Sequence, residues 1–279
     1  MVRAIGESIQ LVYETLPVVV YIFTFIFGAV IGSFLNVCIY RFPKHESIVI
    51  VPSHCMTCGK QLKWYELVPL FSFIIQGGKC RGCKTKLSPQ YFIVECLTGV
   101  IFLGILLING LSILTVLIQL MAAALLVISV VDARTFEIPL PCTITVGVLG
   151  VIRWAVYYKE FLGPEGVRFW NKTWFWVILG PIVMDLLFGL IILLSNGKAM
   201  GGGDYKLAIA AGIFLGLKGV FLGLVIGCIV GSAIHLTLMA LKKKGRELAF
   251  GPYLSIGFLI SALWGNEIIS WYVSKFFTM

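Results

Sequence analysis

From residue 16 to residue 38 the chain carries no charged side chain. A helix of about 20 apolar residues spans the roughly 30 Å hydrocarbon core of a bilayer, so this run constrains the fold more than any other feature. Charge-poor runs recur at 92–109, 111–131, 138–157, 173–195, 205–218, 219–241 and 252–274. In lipid every backbone N–H and C=O must find a partner within the chain, and apolar runs of this length satisfy that as helices. The run at 205–218 is short for a full crossing and reads as tilted or re-entrant. The expected fold is an all-α polytopic membrane protein with about eight transmembrane helices. Composition agrees, because 13% of the residues are charged, where soluble domains carry about 25%. This excludes a nucleic-acid module, a disordered scaffold and an ordinary cytosolic enzyme. The first run is not read as a cleaved signal, because Glu7 and Glu14 stand where a basic n-region would and no clear small-x-small site follows.

Orientation follows from Lys and Arg. Placing the loops after the first, third, fifth and seventh runs in the cytoplasm puts Arg41, Lys44, Lys60, Lys63, Lys79, Arg81, Lys84 and Lys86 there. The same choice adds Arg134, Lys198, Lys206, Lys242, Lys243, Lys244 and Arg246, which is 15 of the 22 basic residues. The positive-inside rule selects this arrangement, with both termini outside. The net charge of +9 is then loop charge that faces anionic lipid headgroups.

Only residues 41–90 form a connection long enough to be a domain. They hold four of the eight cysteines, as Cys55-x-x-Cys58 and Cys80-x-x-Cys83 separated by 21 residues, one more than the usual two-knuckle spacing. Two such turns can bring four thiolates to one tetrahedral zinc ion, with Gly59 and Gly82 giving the turns their freedom. A reducing cytoplasm favours zinc over disulfides, and a closed four-cysteine site folds a small domain that has little apolar core of its own. Cys38, Cys96, Cys142 and Cys228 lie in or beside apolar runs and read as packing residues. Glycines at 212, 216, 219, 223, 227 and 231 share one helical face and read as a close-packing stripe that sets the sixth and seventh spans deep in the bundle.

The chain has three aspartates, Asp132, Asp185 and Asp204. An ionisable group in a bilayer is expensive and is a functional-site hypothesis by default. Asp132 ends the third run and Asp204 begins the sixth, which puts both at one membrane face. Two carboxylates held together cannot both ionise easily, so one can serve as general base to a water while the other serves as general acid. Gly201 and Gly203 beside Asp204 would let an extended substrate approach the backbone. Asp185 lies mid-span, at the wrong depth for the pair, with His235 as a candidate partner.

These residues stand in six ordered blocks. They are Gly32-Ser-Phe-Leu-Asn-Val-Cys-Ile-Tyr-Arg-Phe-Pro43, the paired CxxC knuckles around Glu66-Leu-Val-Pro-Leu-Phe-Ser72, and Ser88-Pro-Gln-Tyr-Phe-Ile-Val-Glu95. Asp132 with Ile138-Pro139, Met200-Gly-Gly-Gly-Asp204-Tyr-Lys206, and Phe250-Gly-Pro-Tyr253 complete the set. The chain thereby resembles the bacterial type IV prepilin leader peptidases, membrane aspartic proteases of the GxGD class that also N-methylate the new pilin terminus. The resemblance implies that Asp132 and Asp204 are the catalytic pair and that residues 41–90 are the methyltransferase region. That region includes the Cys quartet and the Gly77-Gly78 turn, with S-adenosylmethionine as methyl donor.

The implied organisation is an N-terminal segment and first span (1–40), a zinc-ribbon-like cytoplasmic four-cysteine domain (41–90) and a transmembrane aspartic peptidase domain (91–279). The implied substrate is a type IV prepilin or pseudopilin in the bacterial inner membrane, and no nucleic acid. Leu140 stands where many members of the family have an acidic residue, and Lys84 where Gly is more usual. The residues alone leave two rivals, a membrane thiol oxidoreductase working through the CxxC pairs and an ion transporter using the three aspartates.

Overall fold

The computed structural model describes residues 13–162, 172–197, 201–241 and 249–277. Glu7, Met200 and the basic loop residues Lys198, Lys242, Lys243, Lys244 and Arg246 lie outside these. The described chain forms seven long helices: α1 (Pro17–Arg41), α2 (Gln90–Asn109), α3 (Ile113–Thr135), α4 (Leu140–Val156), α5 (Thr173–Leu194), α6 (Gly202–Ala240) and α7 (Gly251–Phe277). All but the shorter α4 are long and apolar enough to cross a membrane. The expected sixth and seventh runs are joined in α6, which breaks at Gly216, where φ is 71° and ψ 174°. The break falls two residues before the end of the expected sixth run.

The chain divides into two compact units, Met1–Gln119 and Leu120–Met279. In the first, α1 begins with Pro17 at its first turn, where the missing N–H costs nothing, and packs along α2. Their backbones meet at glycines: a Cβ on Gly28 would lie 2.9 Å from the Gly99 Cα, and one on Gly32 would lie 2.7 Å from the Glu95 Cα. Asn36 Nδ2 bridges the pair by donating to the Tyr91 carbonyl at 3.1 Å. At the end of α1 the buried Arg41 donates to the carbonyls of Ser47 (3.0 Å) and Val51 (2.8 Å), which anchors the polar segment that follows.

In the second unit α6 packs against α4, α5 and α7. The break at Gly216 withdraws the helical partners of the preceding carbonyls, and α4 supplies replacements. Arg153 Nη1 donates to the Phe214 carbonyl at 2.8 Å, and Trp154 Nε1 donates to that of Ile213 at 2.9 Å. In an apolar medium such carbonyls must be satisfied by neighbouring helices.

The glycine stripe therefore serves two partners rather than one face. Gly212 abuts Gly180 and Pro181 of α5, while Gly223 and Gly227 abut residues 253–258 of α7. Gly212, Gly216, Gly223, Gly227 and Gly231 are all buried, so the stripe itself lies within the packed helices, while α3 is buried over more of its apolar window, 61% against 28% for α6. Of the packing cysteines, Cys38 and Cys142 are buried, Cys96 is half-buried, and Cys228 is exposed on α6.

Candidate functional site

Asp132 sits near the C-terminal end of α3, 5% exposed. Phe136 takes a left-handed conformation (φ 57°), and its N–H returns to the Asp132 carbonyl at 2.9 Å, which stops the helix just past the carboxylate. The Asp132 Oδ2 accepts the N–H of Gly251 at 2.8 Å, at the first residue of α7. Gly251 has no room for a side chain, since a Cβ there would stand 2.8 Å from that same oxygen. The N–H at the N-terminus of α7 thus meets a carboxylate, a favourable placement for negative charge.

Asp204 lies in the first turn of α6, after Gly201 at the N-cap position. Its Oδ1 is buried and has no hydrogen-bond partner among the described residues. The carboxyl groups of Asp132 and Asp204 are close enough to interact electrostatically, so the fold brings together the two residues that the sequence singles out. Gly201 is exposed, and its missing Cβ would lie 3.4 Å from Asp204 Oδ2. The space above Gly203 is filled by Ile138, whose Cβ would be 2.9 Å from a Gly203 Cβ. Gly203 thus lets the start of α6 approach the Ile138-Pro139 turn that leads into α4. Asp185 accepts from the hydroxyl of Tyr205, the residue that follows Asp204. His235, the partner expected for it, instead leaves Nδ1 buried and unbonded among the described residues.

Cys55, Cys58, Cys80 and Cys83 converge, with their four sulfurs all within 4.8 Å of one another and Cys55 and Cys83 at 3.9 Å. Four sulfurs about 2.3 Å from a tetrahedral zinc stand about 3.8 Å apart, so the cluster fits such an ion. The two knuckles are built alike. The Cys55 N–H donates to Lys60 and the Gly59 N–H to Cys55, while the Cys80 N–H donates to Thr85 and the Lys84 N–H to Cys80, all at 2.9 Å. The left-handed residue is Gly59 (φ 69°) in the first knuckle and Lys84 (φ 60°) in the second.

Gly82 was expected to provide that freedom, and the structure corrects this. It lies beside the sulfurs, where a Cβ would be 3.6 Å from the Cys58 Sγ. The Thr85 hydroxyl and N–H face the Cys83 sulfur and favour its thiolate, bringing this thiol down to about 6. The N–H groups of Cys58 and Thr57 likewise pull Cys55 below the usual thiol range. Gly77 and Gly78 form a left-handed turn after the short helix Phe71–Ile75, and Gly78 leaves room for the Phe73 ring, 3.1 Å from a Gly78 Cβ.

Sequence reasoning quoted Phe250-Gly-Pro-Tyr253 without a role and so missed Gly251. The only local signal was a glycine followed by Pro252, a helix-start pattern. Fold and site together define a multi-pass helical membrane protein with a carboxyl pair at two helix ends and, after its first long helix, a cluster of four cysteines that could hold a metal ion. Residues 26–108 match the model described as Bacterial Peptidase A24 N-terminal domain, and residues 119–236 match the model of the Type IV leader peptidase family.

A Bacillus subtilis protein is 30% identical over 253 residues, which cover 89% of this chain and 96% of that protein. Proteins from Aeromonas hydrophila (29% over 291 residues, 94% and 96% covered) and Pseudomonas aeruginosa (27% over 282 residues, 92% and 94% covered) are also similar. All three are named prepilin leader peptidase/N-methyltransferase. The chain belongs to the type IV leader peptidase family. No solved structure matches it.

Proposed function

We propose that this chain removes the leader of type IV prepilins or pseudopilins after the leader's terminal Gly and then N-methylates the residue so freed. Both reactions take place at the cytoplasmic face of the bacterial inner membrane. The observation that carries the reading is the pairing of Asp132 on α3 with Asp204 on α6, two helices well separated in sequence, in a chain of this family. One carboxylate of the pair takes a proton from water, whose oxygen attacks the scissile carbonyl carbon, while the other carboxyl group protonates the carbonyl oxygen. Collapse then breaks the C–N bond. A hydroxyl proton returns to the pair as the pair protonates the leaving nitrogen, which restores the starting state.

The Gly251 N–H holds one Asp132 oxygen and leaves the other for water, and the unbonded Asp204 Oδ1 is open to water or substrate. The exposed backbone at Gly201 offers an extended substrate its hydrogen bonds, and Gly203 seats Asp204 against the Ile138 turn. Zinc at Cys55, Cys58, Cys80 and Cys83 folds residues 41–90. S-adenosylmethionine, when bound in the unit that includes that region and its Gly77-Gly78 turn, supplies an electrophilic methyl group to the freed α-amine. The proposed division remains 1–40, 41–90 and 91–279, with the basic loops on the cytoplasmic side.

Membranes carrying wild type, Asp132→Asn, Asp204→Asn or Asp185→Asn are incubated with prepilin, and leader removal is read by mass spectrometry. Asp132→Asn and Asp204→Asn lower the rate by about 10²–10⁴-fold, the usual contribution of general acid–base catalysis. Asp185→Asn cleaves within a few-fold of wild type. Wild-type rates in either of the first two variants would overturn the catalytic pair.

A further inference from the structure

Residues of the first unit enclose a cavity of about 520 Å³, inside the range of about 300–1,000 Å³ that small-molecule sites occupy. Three stretches with no part in leader cleavage meet around it. Residues 32–43 contribute Asn36 and Tyr40, residues 66–73 contribute Glu66 and Phe73, and residues 88–95 contribute Tyr91 and Glu95. Cys55 and Cys80 form part of the same wall, so the cavity abuts the metal cluster.

Its buried polar groups include acceptors. Glu95 is 7% exposed, and its Oε2 is fixed by the Leu70 N–H at 2.8 Å. Leu70 itself has φ 62° and ψ −53°, a conformation that an L residue keeps only when its surroundings hold it. The Glu66 side chain is 1% exposed and already committed, its Oε2 accepting the Lys63 N–H at 3.0 Å and its Oε1 pairing with Lys60 Nζ at 3.4 Å. Asn36 is 3% exposed, and its Nδ2 donates to the carbonyls of Gly32 and Tyr91. Those two carbonyls fix the orientation of the amide, and Asn36 Oδ1 is left buried with no partner among the described residues.

A buried acceptor without a donor is costly unless a ligand brings one. The occupant therefore carries donors together with flat apolar surface for the aromatic rings. A polyphosphate would face the Glu95 carboxylate, and Arg41 on this wall already gives its guanidinium to loop carbonyls. An S-adenosyl compound meets these demands with an amino group, a ribose diol, a sulfonium and an adenine ring.

We propose that this cavity is the binding site for the S-adenosyl methyl donor, with Glu95 and the Asn36 amide oxygen accepting from its amino and hydroxyl groups. The assignment rests on the methyltransferase reading above and adds its location.

The full-length protein in nanodiscs, loaded with zinc, is titrated with S-adenosylhomocysteine by calorimetry. Glu95→Gln, which keeps an acceptor for Leu70 while removing the charge, and Asn36→Leu each weaken binding by about tenfold or more. Wild-type affinity in both variants overturns the site. A variant that fails to fold is bypassed by ultraviolet labelling of the wild type with radioactive S-adenosylmethionine. Label recovered in residues 32–43, 66–73 or 88–95 supports the site, and label confined to residues 120–279 overturns it. A wild type that methylates pre-cleaved pilin yet labels elsewhere refutes the site alone. A wild type that neither binds nor methylates refutes the methyltransferase reading, and the site with it.

Discussion

Two single positions carry more structural weight than their residue types suggest. Lys84 occupies the left-handed position that Gly59 fills in the sister knuckle, at φ 60° against 69°. An L side chain there costs roughly 1 kcal/mol that glycine avoids. Lys84→Gly is therefore expected to strengthen the second knuckle by about that amount, read as a higher chelator concentration for half-removal of zinc. A lower concentration would show that the lysine side chain itself holds the turn. Gly251 is the second such position. Its N–H holds Asp132, and a Cβ would land 2.8 Å from the Asp132 Oδ2. Gly251→Ala must displace that carboxylate, and misplacing a catalytic group by a fraction of an ångström to 1 Å lowers the rate by about 10- to 100-fold. Leader cleavage should fall by that factor while the zinc content stays at wild type, and an unchanged rate would show that the contact does not position the reacting group.

At the scale of elements, the break in α6 is stabilised from outside the helix. Carbonyls freed near Gly216 are taken up by Arg153 and Trp154 of α4, and Gly180 of α5 leaves space for the displaced backbone, since a Cβ there would lie 2.9 Å from the Leu217 nitrogen. Arg153→Met keeps much of the side-chain volume but strips the Phe214 carbonyl of its donor. It should lower stability by about 1–2 kcal/mol in detergent unfolding, the range for a hydrogen bond between membrane helices or to a charged donor. Gly150→Ala would act on the same contact differently, since its Cβ would meet the Phe214 nitrogen at 2.7 Å. If Arg153→Met unfolds as wild type does, the Arg153 hydrogen bond is not what holds the break.

At the scale of the molecule, the metal cluster and the carboxyl pair lie in different compact units, so conditions that strip the metal can be separated from those that stop cleavage. A thiol held below its ordinary value favours its charged form above that ordinary value, near 8.5, and loses this contribution as the pH falls through the folded value. With Cys83 at about 6, that thiol is already ionised at neutral pH. Loading zinc at pH 7 should release fewer than four protons, counted with an indicator dye, and retention should fall away below about pH 6 as the thiolates protonate. Release of four protons would mean that Cys83 is an ordinary thiol.

The apolar helices and the knuckles were legible in the sequence, and Asp132 and Asp204 could be picked out there as candidates, because each depends on local properties. These are the length of an apolar run, a two-residue spacing between thiols, and a charge where lipid permits few. The break at Gly216 was hidden because glycines three and four apart fit an unbroken helix as well as a broken one. The tie between Asp132 and Gly251, and the meeting of Asn36, Glu66 and Glu95 around one cavity, join residues far apart along the chain. Hydrophobic lengths and thiol spacing are properties of neighbours in sequence. Which backbone N–H meets which carboxylate depends on how helices cross, and only the packed tertiary structure decides that.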